Sequence, residues 1–175
     1  MDVCSIFRKL RYVIRRTFMS SVDFLRWQGV RIGDNCCIYS YSFGSEPYLI
    51  EIGNHVQITA GVKFFTHGGG WVLREEYPDF DCFGKIKVGN NVYIGNDALI
   101  MPGVTIGNNV VIGAGTVVTK SIPDNSVVAG NPGRIIGDMS SFKEKMLKYN
   151  FHSKSVKNKK AFILSEEHKD LFIQK

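Results

Sequence analysis

Between Val88 and Pro123 the hydrophobic positions of this chain recur every six residues. The recurring positions each hold a large aliphatic residue: Val88, Ile94, Ile100, Ile106, Ile112 and Val118. A second series of apolar or small residues lies four positions after each of these: Val92, Ala98, Val104, Val110, Thr116 and Ile122. A period of six fits neither an α-helix, with its period of 3.6, nor a strand of period 2. It indicates a repeat array in which each unit is one short strand followed by a corner.

Three such units are predicted to close one coil. The sequence VGNNVYIG at 88–95 returns eighteen residues later as IGNNVVIG at 106–113, so the fourth unit should lie on the first. Stacked coils would bury both hydrophobic series inside a narrow prism. Glycine and asparagine adopt positive φ at low cost. The Gly-Asn pairs at 89–90 and 107–108 are therefore predicted to make the tight corners through positive φ.

The same corner signal appears earlier in the chain, at Ile32 and again at Ile52. These two positions are twenty residues apart, and the pattern loosens at 39–49, so a bulge or short loop should absorb the difference. Residues 65–85 carry no six-residue signal, although Ile52 and Val88 remain in phase two coils apart. We predict that one coil's length of chain is extruded there as a loop. Loops of this length in compact proteins are usually functional.

Both ends of the chain depart from the repeat. Residues 3–18 have the pattern of an amphipathic helix, with aliphatic side chains on one face and basic side chains on the other. Packing of the apolar face on the rest of the chain is the ordinary expectation, and a cationic helix lying on an anionic membrane is the alternative. A second helix is predicted at 141–150, where Ser141 and Glu144 have capping-box spacing. The last residues could form a strand-like piece and a short helix.

We therefore expect three parts: an N-terminal amphipathic helical segment at 1–28, the repeat domain at 29–136, and a C-terminal helix with a basic tail at 137–175. A chain of 175 residues is long enough for one domain with such appendages. The four cysteines form no CxxC pair and are expected to be reduced thiols. No signal-peptide pattern and no run of 18 apolar residues is seen, so a cytoplasmic location is expected, with the inner face of the membrane as the further option.

The formal net charge of +6 is concentrated at the two ends. A basic chain can bind nucleic acid, but the sequence has no basic motif interleaved with aromatic residues, no zinc pattern and no helix-turn-helix signature. We therefore expect no nucleic-acid partner. An anionic nucleotide cofactor or an acidic membrane surface would explain the charge equally well.

Two stretches near the end of the repeats carry a resemblance. The sequences IGAGTVVTK at 112–120 and VAGNPGRII at 128–136 resemble the acetyl-coenzyme A binding end of the hexapeptide-repeat acyltransferases. The likeness is greatest to their sugar O-acetyltransferases and xenobiotic acetyltransferases. It implies an all-β fold, a left-handed parallel β-helix with an extruded active-site loop and helical extensions. It further implies a homotrimer that uses acetyl-coenzyme A as acetyl donor and no metal.

Acyl transfer to a hydroxyl or amine needs a base that removes the acceptor proton and donors that hold the developing oxyanion. His67 lies at the root of the extruded loop, before three glycines, and matches the catalytic histidine of the family that the chain resembles. A base works best when a second group fixes its tautomer. Glu46, the only acidic residue at 39–49, could orient His67, bind sugar hydroxyls or simply be solvated. The other histidines are treated as structural: His55, His152 and His168.

The resemblance assigns the coenzyme A site to seven positions: Tyr93, Gly95, Asn96, Ala114, Thr119, Lys120 and Arg134. Arg134 corresponds to a basic residue near the nucleotide phosphates, and Tyr93 stands where related sugar acetyltransferases carry a tryptophan. Corner geometry alone would also explain Gly95 and Ala114. Acceptor contacts are predicted at Ser40, Ser42 and Trp71.

Together these features predict an acetyl-coenzyme A-dependent O-acetyltransferase acting on a sugar hydroxyl of a surface polysaccharide or its precursor. N-acetylation of a nucleotide-linked amino sugar and acetylation of an antibiotic are alternatives that use the same fold and base. A carbonic anhydrase of this fold would need three histidine ligands for zinc, and only His55 and His67 lie within the repeats. A purely structural repeat protein would not need a histidine-bearing loop.

Overall fold

Short parallel strands from successive coils stack into the three faces of a triangular prism. The computed structural model describes residues 3–173, excluding the side chains of residues 3–5 and 8. The helices are α1 Val3–Phe18, α2 Ser21–Gln28, α3 Met139–Leu147 and α4 Lys159–Ile163. The strands are β1 Arg31–Ile32, β2 Cys37–Ile38, β3 Ser42–Phe43, β4 Ile50–Ile52, β5 Val56–Ile58, β6 Lys63–Phe64, β7 Ile86–Val88, β8 Val92–Ile94, β9 Leu99–Ile100, β10 Thr105–Ile106, β11 Val110–Ile112, β12 Val117–Val118, β13 Ser126–Ala129 and β14 Arg134–Asp138.

Every third strand of the coils joins the same face. The first face has the order β1-β4-β7-β10, the second β2-β5-β8-β11-β13-β14, and the third β3-β6-β9-β12. Within the first face Ile32 pairs with Ile52, Ile52 with Val88, and Val88 with Ile106. The predicted coil of three units is confirmed, because the register holds across both the twenty-residue interval and the extruded loop.

The two hydrophobic series fill the interior of the prism. All twelve of their members are buried, from Val88 through Ile122. In the first two strands of the third face, β3 and β6, aromatic residues take the inward positions. The rings of Phe43 and Phe64 stack there with centroids 4.6 Å apart. Since burial of one such side chain contributes about 1.5–3 kcal/mol, the six-residue pattern is the main driving force of this fold.

The corners differ in one respect from the expectation. Positive φ falls on the second asparagine of each Gly-Asn-Asn run, at Asn91 (54°) and Asn109 (53°), and not on the Gly-Asn pairs at 89–90 and 107–108. Glycine is needed at positions 89 and 107 for another reason. A Cβ atom on Gly89 would lie 2.6 Å from the carbonyl oxygen of Gly107, because successive coils approach each other closely at this corner. The prediction of tight corners was right, and the predicted position of the positive φ was wrong.

Polar side chains form a ladder along this corner. Asn91 Oδ1 lies 2.9 Å from Nδ1 of His55, Asn91 Nδ2 donates to Asn109 Oδ1 at 2.8 Å, and Asn109 Nδ2 donates to Asn125 Oδ1 at 3.1 Å. His55 itself has a positive φ of 55°. It therefore occupies the corner position that asparagine takes in the coils above, which agrees with the structural role expected for it.

The N-terminal helices occupy the start of the prism in an unexpected orientation. Helix α2 packs against β1 and β2 and buries Phe24 and Leu25 completely. Helix α1 has the predicted bounds, but its apolar face does not pack on the rest of the chain as expected. Its apolar side chains are 46% to 83% exposed: Ile6, Phe7, Leu10, Val13, Ile14 and Phe18. In the described part of the chain no helix has the length and apolar character needed to cross a bilayer.

The C-terminal end of the second face is covered by β14, which pairs antiparallel with β13 and extends two residues beyond the boundary expected at 136. Helix α3 follows directly. Asp138 caps it by accepting hydrogen bonds from the backbone N–H groups of Ser140 and Ser141, and hydrogen bonds from these serines hold the pKa of Asp138 well below its usual range. The capping box predicted at Ser141 and Glu144 was therefore wrong, because Asp138 starts the helix two residues earlier.

Close stacking at the corners yields a stability test. Gly89→Ala should lower the free energy of unfolding by about 1–3 kcal/mol, because the added methyl group meets backbone atoms of the next coil that cannot move independently. Gly137→Ala is the control, since a Cβ atom there meets nothing within 4 Å. Urea denaturation at one fixed protein concentration measures both, and equal effects of the two substitutions would contradict the stacking argument.

Candidate active site

The extruded loop at 65–85 leaves the prism after β6 and returns at β7, as predicted. Its two ends are joined by backbone contacts. The N–H of Gly84 donates to the carbonyl oxygen of Thr66 at 2.7 Å, and His67 and Phe83 form an isolated antiparallel bridge. Farther out, the loop contains a 3-10 turn and an ion pair of 3.5 Å between Arg74 and Asp81. The loop root is therefore well defined, and it holds His67 at the surface of the prism.

Glu46 and His67 meet at this root although 21 positions separate them. Strands β3 and β6 are neighbours on the third face, so the residues that follow them emerge side by side at one corner. The segment with the 3-10 turn Pro47–Leu49 then holds three extra residues, and since the step from Ile38 to Phe43 is one residue short, this coil is longer by two. Nδ1 of His67 lies 2.8 Å from Oε2 of Glu46. The structure thus brings together the two residues predicted to carry catalysis.

Thr66 is a third member of this cluster, and no role is predicted for it from the sequence alone. Its side chain is buried, and its hydroxyl donates to the same Oε2 of Glu46 at 2.5 Å. The sequence offered one signal for such a role: Thr66 is a polar residue that directly precedes His67 at a position that turns inward. Its partner could not be read from the sequence, since the contact joins two coils.

The carboxyl group of Glu46 is held in its ionised form. The hydrogen bond from Thr66, and after it the one from His67, lowers the pKa of Glu46 below the ordinary value for glutamate. An ionised carboxylate can only accept hydrogen bonds, so the proton in the contact belongs to Nδ1 of His67. Nε2 is then the ring nitrogen with a free lone pair, and the His67 side chain is 42% exposed. This arrangement suits a general base.

A cleft of about 430 Å³ opens beside His67. It is lined by Ser42, Tyr41 and Gly44 from the coil below and by Tyr12 of α1. Ser42, one of the residues predicted to contact the acceptor, is exposed and lines this cleft together with His67. Aromatic and hydroxyl groups around a concave space are typical of sites for small polar ligands.

Two of the predicted acceptor contacts are placed elsewhere. Ser40 is only 5% exposed, and its hydroxyl donates to the carbonyl oxygen of Val62 at 2.5 Å, so it braces two coils instead of facing the cleft. Trp71 is 80% exposed on the outer part of the loop, in a depression that it shares with Arg74 and not with His67. Neither side chain lines the cleft beside His67.

Four of the seven positions predicted for coenzyme A are exposed at two corners of the third face. Thr119 and Lys120 follow β12, on the same corner as His67 and two coils beyond it, which is about 10 Å along the prism. Both are exposed. Asn96 and Ala114 are exposed at the opposite corner of that face. A ligand lying across the third face could therefore contact both corners.

Three other predicted positions have different surroundings. Gly95 is buried, and a Cβ atom there would lie 2.6 Å from the backbone nitrogen of Ala114, so stacking alone accounts for this glycine. Tyr93 points outward from the second face and lines a cavity with His55, away from Lys120. Arg134 begins β14 and is exposed, with its Nη1 donating to the carbonyl oxygen of Gly133.

The remaining histidines lie outside the cleft. His55 belongs to the corner ladder, the backbone N–H of His152 donates to Oδ1 of Asn150 at 3.0 Å, and Nδ1 of His168 is 2.8 Å from the carbonyl oxygen of Phe162. Within residues 3–173 no three histidine, cysteine or acidic side chains are grouped so that they could hold a metal ion.

A six-residue-repeat β-helix with a histidine and a carboxylate at the root of an extruded loop defines the class of hexapeptide acyltransferases. The family described as bacterial transferase hexapeptide (six repeats) matches residues 85–120. Protein CapG of Staphylococcus aureus is 49% identical over 152 residues, which cover 83% of this chain and 88% of CapG.

Solved structures agree with this class. A maltose O-acetyltransferase from Clostridium difficile 630 matches with a TM-score of 0.53 and 31% identity over 67% of this chain and 73% of that one. A galactoside acetyltransferase in complex with coenzyme A matches with a TM-score of 0.56 and 27% identity over 79% of this chain and 82% of that one. The chain belongs to the hexapeptide-repeat acetyltransferases, and its prism is the left-handed parallel β-helix of that family.

The lowered pKa of Glu46 makes part of the stability depend on pH. A carboxyl group whose pKa is lower in the folded than in the unfolded chain stabilises the fold above its unfolded pKa of about 4.3, and this contribution disappears as the pH falls through the lower folded value. Glu46→Gln lacks that contribution. The stability difference between wild type and Glu46→Gln should therefore be larger near neutral pH than at about pH 3.

Urea unfolding of both proteins at the two pH values measures this difference. Glu144→Gln removes the same charge from the exposed surface of α3 and serves as the control for net charge. A difference between wild type and Glu46→Gln that does not change with pH would show that the hydrogen bonds of Glu46 do not favour its ionised form.

Proposed function

We propose that this chain is an acetyl-coenzyme A-dependent O-acetyltransferase that acts on a sugar hydroxyl of a surface polysaccharide or its precursor. The observation that carries the proposal is the hydrogen-bonded group of Thr66, Glu46 and His67 beside the cleft. The similarity to a galactoside acetyltransferase and a maltose O-acetyltransferase supports the reaction and the class of acceptor. The proposed location of the reaction is the cytoplasm.

In this mechanism His67 is the general base. The acceptor hydroxyl gives its proton to Nε2 of His67 while its oxygen attacks the thioester carbonyl carbon of the donor. The carbon–sulfur bond of the resulting tetrahedral intermediate then breaks, and the leaving sulfur takes the proton back from the imidazolium. Glu46 remains ionised throughout, so it holds the ring in the reactive tautomer and stabilises the positive charge that His67 carries between the two steps.

The donor is proposed to lie along the third face, with its thioester at His67. Lys120 and Arg134 are exposed cations suited to the phosphates of an adenine nucleotide, and Thr119 adds a hydroxyl beside Lys120. The distance of about 10 Å between His67 and Lys120 along their shared corner is one that an extended pantetheine arm can span. The acceptor is then proposed to enter through the cleft lined by Tyr41 and Ser42.

We further propose that the active form is a homotrimer. Three-sided coils present flat faces, and closed threefold symmetry allows each subunit to cover the same face of its neighbour. Such an arrangement would also place a second wall along the third face, which in the single chain is open to solvent on the side of Leu99 and Val117.

The role of His67 is tested by turnover. His67→Ala should lower the rate about a hundredfold to ten-thousandfold, because the hydroxyl then loses its proton without a positioned base. Glu46→Gln should have a smaller effect, because the base itself remains. His55→Ala is the matched control, since this histidine lies in the corner ladder, and it should retain nearly the full rate.

The measurement is the release of coenzyme A with a panel of free sugars, nucleotide-linked amino sugars and antibiotics as acceptors. A His67→Ala protein with nearly the wild-type rate would refute the mechanism. Transfer only to amino groups or to antibiotics would refute the proposed acceptor while leaving the role of His67 intact.

The donor site is tested by binding. Lys120→Ala and Arg134→Ala should weaken the affinity for coenzyme A by about 1–3 kcal/mol each and should weaken that for dephospho-coenzyme A less, because the side chains are proposed to meet the terminal phosphate. Lys157→Ala, which removes an exposed cation from the tail, is the control. Isothermal titration calorimetry measures these affinities, and equal losses for both ligands would place the two cations away from that phosphate.

A further inference from the structure

Helix α1 is attached to the protein by its polar face. Tyr12, in the middle of that face, packs edge-on against Phe24 with ring centroids 5.2 Å apart. The guanidinium carbon of Arg15 lies 4.6 Å from the centre of the Trp27 ring, and that of Arg16 lies 3.1 Å from the centre of the Tyr41 ring. These cation–π and aromatic contacts fix the helix with its apolar side turned away from the β-helix.

The outward side is a continuous hydrophobic surface. Its members span an arc of about 140° when viewed along the helix axis, and each is close to half exposed or more: Ile6, Phe7, Leu10, Val13, Ile14 and Phe18. Exposed apolar surfaces of this kind, rimmed by polar residues, mark interaction sites. Exposure of this face would be costly unless something covers it.

Positive charge borders the apolar surface. Lys9 lies beyond one edge of the arc and Arg11 beyond the other, and both side chains are exposed. The sequence of α1 contains five basic residues and no acidic one. An apolar strip with cations on both edges is the arrangement that places a helix in the plane of a membrane, with its apolar side chains among the acyl chains and its cations at anionic headgroups.

We propose that the apolar face of α1 is a docking surface for a membrane that contains anionic phospholipids. A second copy that docks through its own α1 is a less suitable occupant. Pairing two α1 helices through their apolar faces would bring the Lys9 and Arg11 edges of one copy against those of the other, with no acidic side chain on either helix to offset the repulsion. Anionic headgroups offset this charge directly.

Docking has a consequence for the acetyl acceptor. Tyr12 contacts α2 and also lines the cleft beside His67, so the helix that would lie on the membrane forms part of the acceptor site. The cleft would then lie close to the headgroups and would suit a sugar carried on a membrane lipid. This consequence rests on the proposed function, whereas membrane binding by α1 does not.

Vesicle sedimentation with the full chain tests the docking surface. Wild-type protein should sediment with vesicles of phosphatidylglycerol and phosphatidylcholine in equal parts, and much less with vesicles of phosphatidylcholine alone. The double variant Leu10→Ser/Ile14→Ser should bind the anionic vesicles about tenfold or more weakly, because two inserted side chains are lost. Arg11→Glu should weaken the same binding by reversing a charge at the edge. Leu164→Ser is the control, since Leu164 is 66% exposed far along the tail.

The substituted side chains of α1 are exposed, so the melting temperature of each variant should match that of the wild type. Turnover with a soluble acceptor in the absence of vesicles should also be unchanged, which separates membrane binding from the acetyl-transfer reaction. Failure of the wild type to bind anionic vesicles, or equal binding by the double variant, would overturn the proposal. So would a lower oligomeric mass of the double variant in analytical ultracentrifugation, because a second copy would then be the occupant of this face.

Discussion

Stacking of successive coils at the spacing of hydrogen-bonded strands is the constraint on which the whole structure depends. It fixes the distance between equivalent residues of neighbouring coils at about 4.8 Å, so the residue at each corner lies in direct contact with its equivalent in the next coil. The inward positions must then be apolar, and Gly89 must have no side chain, because Gly107 lies directly above it. The ladder from His55 to Asn125 satisfies the same constraint with hydrogen bonds between side chains.

The same constraint explains how the site is assembled. An insertion at a corner leaves the coil without disturbing the register, as the pairing of Ile52 with Val88 across the extruded loop shows. Segments that leave from one corner in neighbouring coils lie side by side. Glu46 and His67 are therefore brought within hydrogen-bonding distance by strand pairing on the third face, and Thr66 joins them because it belongs to the same corner. The hydrogen-bonded arrangement of these three residues therefore follows from the geometry of the repeats.

Helix α1 obeys a different balance of forces. An amphipathic helix beside a protein core would ordinarily bury its apolar side, yet the start of this prism is already covered by α2. What remains for α1 to contact is an aromatic surface that includes Trp27 and Tyr41, and arginines bind such rings well. The apolar side of α1 is left facing outward. On the opposite side of the helix, Tyr12 lines the cleft beside His67.

The sequence by itself determined the coil, its core and the place of the loop with His67 at its root, because these depend on a period that repeats along the chain and on a break in it. The tertiary structure alone decided the partner of Glu46, the burial of Ser40, the exposure of Tyr93 on another face and the orientation of α1. Each of these depends on contacts between coils or between elements, and no local pattern records which side chains such contacts bring together. The amphipathic pattern predicted that α1 would form, but only the competition for the core decided which of its faces met the protein.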